Sequence, residues 1–373
     1  MLRKRQVSNA ASTIIGENMV RFIVDTYLPY DTGGPEALVQ LALALHRVLN
    51  VQRRGAPHSA HVWRKQVARR NWMEYPGIAD VPTIHGDLRE HDLTRPGDVI
   101  IAPDVRVEAC APWLSQRGVT EFTYVLSVNF LPILAKNAHH SLTRSCRFLH
   151  HSFRLSNFSG WDRVAAVPRS LIVRPYISPS IVAFCAATRA NRTRLAARAP
   201  SDSEASGLVG SGDAAHGRGT HALPLVLVDN DVKGLVRYHV ARACNQSRCE
   251  VVVVNRFTRQ AVMALLTRAS VVVDWCMVGT ERLPVEAVLC GAVLLTSDCR
   301  DGGALDDRDF PMARRNLLSN VSELSGAIGR VLSNLDEERR DQQRLVELYD
   351  TGTSAATMEE EVAAAVETIV HAI

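Results

Sequence analysis

A chain of 373 residues with 46% hydrophobic and 22% charged residues has apolar material for two cored domains. Aromatics at 6% argue against a carbohydrate surface lined with stacked rings, and the net charge of +4 is mild. No nucleic-acid-reading motif is present, and no stretch supplies the ~20 apolar residues of a membrane helix, so nucleic acid is excluded as a partner and spanning as a class. The opening MLRKRQVSNAASTIIGENMV has a charged head without a signal-peptide core, so residues 1–19 read as a flexible tail and the chain as cytoplasmic. Its eight cysteines form no CxxC pair and read as reduced core thiols, although Cys244 and Cys249 are close enough to bridge.

Arg21 to Asp25 is a first strand. After it come a loop holding Gly33 and Gly34 and a helix from Ala37 to Leu49, with Leu38, Leu41, Ala42 and Leu45 on one face. Pro35 and Glu36 suit the first turn of that helix. The two glycines let backbone N–H groups approach a ligand, and a helix start favours an anion. Residues 51 to 75 are basic around Trp63 and Trp72 and read as a solvated helix face. Arg53, Arg54, Arg64, Lys65, Arg69 and Arg70 make it a candidate for peripheral contact with an anionic surface.

Gly97 to Asp104 and Glu121 to Val128 are further strands, with a short helix over Ala111 to Gly118 between them. Strands alternating with helices predict a largely parallel sheet. Asp104 and Asn129 stand at strand carboxyl ends. Residues 130 to 153 carry His139, His140, His150 and His151; no spacing there matches a zinc site, so no metal is expected, and His139 or His140, following the strand end at Asn129, is the candidate histidine for a cleft. Leu171 to Val173 leads into RPYISPS, a crossing segment and domain boundary. Residues 189 to 221, poor in large apolar side chains, read as a disordered insertion whose arginines need no function.

A second α/β unit starts at Leu223 to Val228, followed by a helix from about Leu235, the strand Glu250 to Val254 and a helix over Thr258 to Arg268. Val271 to Asp298, VVVDWCMVGTERLPVEAVLCGAVLLTSD, then reads as buried strand, polar loop, short helix and buried strand. Pro284 opens that helix, Glu286 sits in its first turn and Gly291 ends it. A glutamate is thereby presented beside the carboxyl end of a parallel strand, where open α/β sheets bind ligands. The remainder is helical over Val321 to Leu335, Glu337 to Tyr349 and Met358 to Ala372.

VDTYLPYDTGGPEALVQLALAL together with the Val271–Asp298 stretch resembles the GT-B glycosyltransferases, closest to the retaining group-one type related to glycogen synthase and bacterial mannosyltransferases. The matches are Gly33-Gly34 in the first glycine loop, and Pro284, Glu286, Ala287, Cys290 and Gly291 in the donor motif. Val278 stands eight positions before Glu286, where the family has its first motif glutamate; Glu281, five before, is the nearest candidate.

The resemblance implies two Rossmann-like domains with parallel sheets facing a cleft, over 20–170 (acceptor side) and 171–350 (donor side). The last helix, 351–373, would brace the first domain. It also implies a nucleotide-sugar donor, an unidentified glycan, lipid or protein acceptor, and no cofactor. Donor contacts fall to Gly33, Gly34, Lys233, Arg256, Arg282 and Glu286, with Glu286 on the ribose hydroxyls; Glu281 and His139 are the catalytic candidates. The alternative is a GT-B-like chain that binds a nucleotide or partner without catalysis.

Overall fold

The computed structural model describes residues 20–26, 33–52, 58–64, 77–86, 93–104, 117–126, 147–156, 171–198, 223–230, 232, 234–255, 257–277, 282–297, 307–352 and 354–372. Among them the strands form two sheets, and every pairing is parallel. The first contains β1 (Arg21–Asp25), β2 (Ser59–Arg64), β3 (Thr83–His85), β4 (Val99–Pro103), β5 (Thr120–Val125) and β6 (Arg147–His150), in the order β3-β2-β1-β4-β5-β6. The second contains β7 (Leu225–Asp229), β8 (Glu250–Val254), β9 (Ala269–Asp274), β10 (Val293–Ser297) and β11 (Leu317–Leu318), in the order β11-β10-β9-β7-β8. This is the expected α/β layout of two parallel sheets.

The order of each sheet reverses beside its first strand. The switch lies between β1 and β4 in one and between β7 and β9 in the other. Ligands of doubly wound sheets bind outside the carboxyl ends of the strands at such points. Central strands here are continuous apolar runs because helices cover both faces. In the second sheet, Val226, Val228, Val271 and Val273 pack under α3 (Gly234–Ser247) and α6 (Leu324–Ser333). Leu225, Leu227, Val272 and Leu294 face the opposite layer, with α2 (Pro179–Arg198), α4 (Arg259–Leu266), α5 (Arg282–Leu289) and α8 (Gln343–Glu347).

In the first unit, Phe22, Val24, Ile101 and Phe122 pack against α1 (Gly33–Arg47). The last helix, α9 (Ala355–Ala372), joins this core through Met358, Val362, Val366 and Ile369. Arg47 pairs with Glu359 at 3.0 Å, and Glu361 accepts from both the backbone N and the Nε of Arg174 at 2.7 Å. The crossing segment is stitched down as well. Tyr176 exchanges two hydrogen bonds with the Gln40 amide, at 2.7 and 3.0 Å, and the Tyr124 hydroxyl donates to the Val173 carbonyl at 2.6 Å.

Several expectations are corrected. The basic stretch 51–75 contains β2, not a solvated helix face: Ala60 and Val62 enter one core and Trp63 the other. Arg53, Arg54, Lys65, Arg69 and Arg70 lie outside the described residues. In the histidine-rich segment, Arg147–His150 is a strand with His150 and the following His151 buried. The expected insertion from residue 189 is helical to Arg198, continuing α2. Two of its arginines have partners there, and Arg339 from outside the insertion acts beside them. Arg189 donates to the Leu289 carbonyl, Arg192 to those of Leu266 and Thr267 (3.0 and 2.8 Å), and Arg339 to that of Gly291 (2.7 Å). These are carbonyls at the ends of α4 and α5, which lack an intrahelical partner. Burial, with Arg339 nearby, lowers Arg192 to about 10.

Nor are the described cysteines isolated thiols. Cys185 on α2 is bonded to Cys290, and Cys244 to Cys249 across the end of α3, with Cα separations of 4.2 and 4.6 Å. Tertiary packing brings the first pair together across 105 residues of sequence.

Candidate functional site

At the carboxyl end of β9 the chain turns sharply. Cys276 adopts φ +67°, rare for a residue with a side chain, and its N–H donates to Ser297 Oγ at 3.0 Å. Beyond the turn α5 starts at Arg282, so Pro284 lies inside the first turn instead of opening it, and Glu286 lies in the second. The helix closes at Gly291, whose φ of +88° is readily adopted only without a Cβ. Pro284 is tolerated because the first-turn N–H groups have no intrahelical acceptor.

Glu286 is fully buried, at 0% exposure, so its charge must be matched. It is held by two arginines. Arg259, the first residue of α4, makes a two-pronged contact: Nη1 to Oε2 at 2.7 Å and Nη2 to Oε1 at 2.6 Å. Arg282, one turn before Glu286, donates from Nε to Oε1. Arg282 also pairs with Glu36 in the first turn of α1. This chain of charges therefore joins a helix of the second sheet to the helix that follows β1 in the first.

Each member is placed by its local sequence. Arg259 follows β8 and is aimed by Thr258, which caps α4 by accepting from the Ala261 N–H at 3.3 Å. Glu36 is 7% exposed in a helix whose other early residues enter the core. Gly33 and Gly34 open α1 instead of preceding it in a loop, so their N–H groups belong to the unsatisfied first turn of the helix. Of the expected donor residues, the structure thus brings Arg282 and Glu286 into contact and ties them to the start of the helix that Gly33 and Gly34 open. Lys233, Arg256, Glu281 and His139 lie outside the described residues.

Arg259 was not singled out by its sequence, although RFTRQ offers a signal: a capping threonine followed by a cation just past a strand end. Asp104, expected at a strand end, is occupied by structure, its Oδ2 accepting from the Leu126 N–H at 2.8 Å. A shallow recess lies elsewhere, lined by His151, Arg174, Pro175, Asp309, Leu348 and Tyr349; none of the Glu286 cluster borders it. Burial lowers His151 at the recess to about 3, and the preceding His150 to about 4.

No protein-family model matches the sequence, and no curated protein does. Solved structures do match. S. aureus TarM, in complex with UDP and glycan ligands, is 9% identical with a TM-score of 0.41, over 72% of this chain and 55% of its own. WaaG, a glycosyltransferase involved in lipopolysaccharide biosynthesis, is 12% identical with a TM-score of 0.46, over 93% and 99%. The UDP-GlcNAc 2-epimerase of Neisseria meningitidis, bound to UDP-GlcNAc, is 7% identical with a TM-score of 0.39, over 95% and 100%. The chain spans little more than half the length of TarM. Among the described residues no helix is long and apolar enough to cross a membrane.

Proposed function

We propose that this chain transfers a sugar from a nucleotide-sugar donor to an acceptor hydroxyl. The observation that carries the reading is the Arg259–Glu286–Arg282–Glu36 cluster, which joins α5 beside the carboxyl end of β9 to the start of α1. In the transfer, the bond from the sugar's anomeric carbon to the donor diphosphate breaks, a bond to the acceptor oxygen forms, and the acceptor hydroxyl's proton passes to the departing diphosphate. Negative charge grows on the departing diphosphate, so the site must offer cations and backbone N–H groups aimed there. Arg259 and Arg282 supply the cations, and the α1 start with Gly33 and Gly34 supplies N–H donors.

In this reading the charge compensation comes from the chain itself and the outcome is retention, as the family resemblance implies. Lys233 and Arg256 are assigned to the diphosphate, Glu281 to the sugar hydroxyls, and His139 to the cleft. The acceptor belongs to the first unit.

The test is nucleoside diphosphate release from UDP-, GDP- and ADP-sugars, run beside thermal melting with each donor. One donor should raise Tm and be turned over, and Arg282→Ala should abolish both. No stabilisation by any donor would count against the reading, and stabilisation without release would favour nucleotide binding without transfer.

A further inference from the structure

Glu286 and its two arginines meet solvent differently. The Glu286 side chain is 0% exposed, whereas those of Arg259 and Arg282 are 30% and 23% exposed. A ligand arriving from solvent therefore meets guanidinium before carboxylate. The lone pairs of Glu286 are largely committed too: Oε2 accepts from Arg259, and Oε1 from both Arg259 and Arg282. A carboxylate has about four acceptor positions, and three are used by cations.

Resting on the donor reading above, we propose that Glu286 is a positioning residue and not a ribose ligand. It fixes the guanidiniums of Arg259 and Arg282 as the receptor for the diphosphate of a nucleoside diphosphate. The two-pronged contact sets the plane of the Arg259 fork, which a single-point ion pair would leave free to rotate. Two guanidiniums and one carboxylate leave a net single positive charge. Glu36 balances that charge through Arg282, and an incoming diphosphate, with more negative charge, competes with Glu36 for it. The arrangement also explains why a carboxylate is buried beside a site that must attract anions: unpaired it would repel them, but paired it orders the groups that bind them.

The role is tested by calorimetric titration of wild type, Arg259→Gln and Glu286→Gln with UDP, GDP, ADP and inorganic pyrophosphate. Pyrophosphate has no ribose. If Glu286 acts through the arginines, both variants weaken the preferred nucleotide and pyrophosphate alike, by roughly ten- to a hundredfold. Arg259→Lys, which keeps the charge but not the fork, falls between. If Glu286→Gln weakens the nucleotide but leaves pyrophosphate untouched, the carboxylate contacts ribose and the proposal is overturned. Where pyrophosphate binds too weakly to titrate, the same nucleotide lacking its ribose hydroxyls decides. An undiminished Glu286→Gln effect on that nucleotide supports the positioning role, and a vanished one refutes it. Melting curves identify any variant that has not folded, and Arg259→Lys then carries the test. Failure of wild type to bind any nucleoside diphosphate would instead remove the donor reading itself.

Discussion

Asp98 in the first half of the molecule and Glu286 in the second are buried carboxylates held by arginine, as is Glu338, yet the first two are built differently. Asp98 lies at the amino end of the first sheet, just before β4. It accepts from Arg21 Nε at 2.9 Å and from the Arg95 backbone N–H at 2.7 Å, and Arg21 spends a further donor on the Leu93 carbonyl. Its arginine is only 11% exposed. Glu286 lies towards the carboxyl end of the second sheet, and its arginines keep about a quarter of their surface in solvent. The first cluster is closed on itself and fastens strand starts together. The second presents its cations outward, as a binding site requires. Burial of the carboxylate is common to both; the exposure of its arginine partners differs.

The sharpest way to break the comparison is to remove each carboxylate. Asp98→Ala strands a buried arginine and should cost about 3–5 kcal/mol of stability in urea unfolding. Glu286→Gln leaves arginines that water can reach, so its stability loss should be smaller, about 1–2 kcal/mol, while donor binding suffers. Equal stability losses would show that partner exposure does not separate the two.

Acid should discriminate the halves next. His150 and His151 end the first sheet and stay neutral when folded, at about 4 and about 3. The unfolded chain takes up protons first as pH falls, so they cost nothing above the ordinary histidine range. Stability then drops by about 1.4 kcal/mol per histidine per pH unit between about pH 6.5 and 4. His151→Gln should remove roughly half of that slope in urea unfolding followed from neutral to mildly acidic pH; an unchanged slope would mean that other groups set the acid limit.

A smaller effect is expected where the halves are joined. Gln40→Leu removes both hydrogen bonds to Tyr176 and should lower stability by about 1–3 kcal/mol, read as an earlier melting transition. Smallest is Thr258→Ala, which uncaps α4 beside Arg259 and should cost about 0.5–1 kcal/mol. Its interest lies in whether donor affinity falls with it, as the placement of Arg259 demands.

Legibility in the sequence followed the kind of information each feature carries. VVVD and LVLVD declared their strands because strands buried on both faces are apolar runs, and EVVVV, at the half-buried edge, by its run of β-branched residues. SAHVWR and RFLH did not, since histidine and arginine interrupt them, and the basic surroundings of the first suggested a solvated face; only pairing with β1 and β5 shows them to be strands. TRANRTR read as a linker because its arginines had no visible purpose, and the carbonyls they cap belong to helices more than 70 residues away.

The sequence by itself determined the alternation of strands and helices, the parallel sheets and the motif that carries Glu286. These follow from local periodicity and turn chemistry, which need only neighbouring residues. Only the tertiary structure decided that Glu286 is gripped by Arg259 from 27 residues away, that Arg282 reaches back to Glu36, and that α9 returns to the first core through Arg47 and Glu359, 312 residues apart. A charge in a sequence says that it needs a partner or water. Which of the two it finds depends on how the chain closes, and at Glu286 it closes on two arginines.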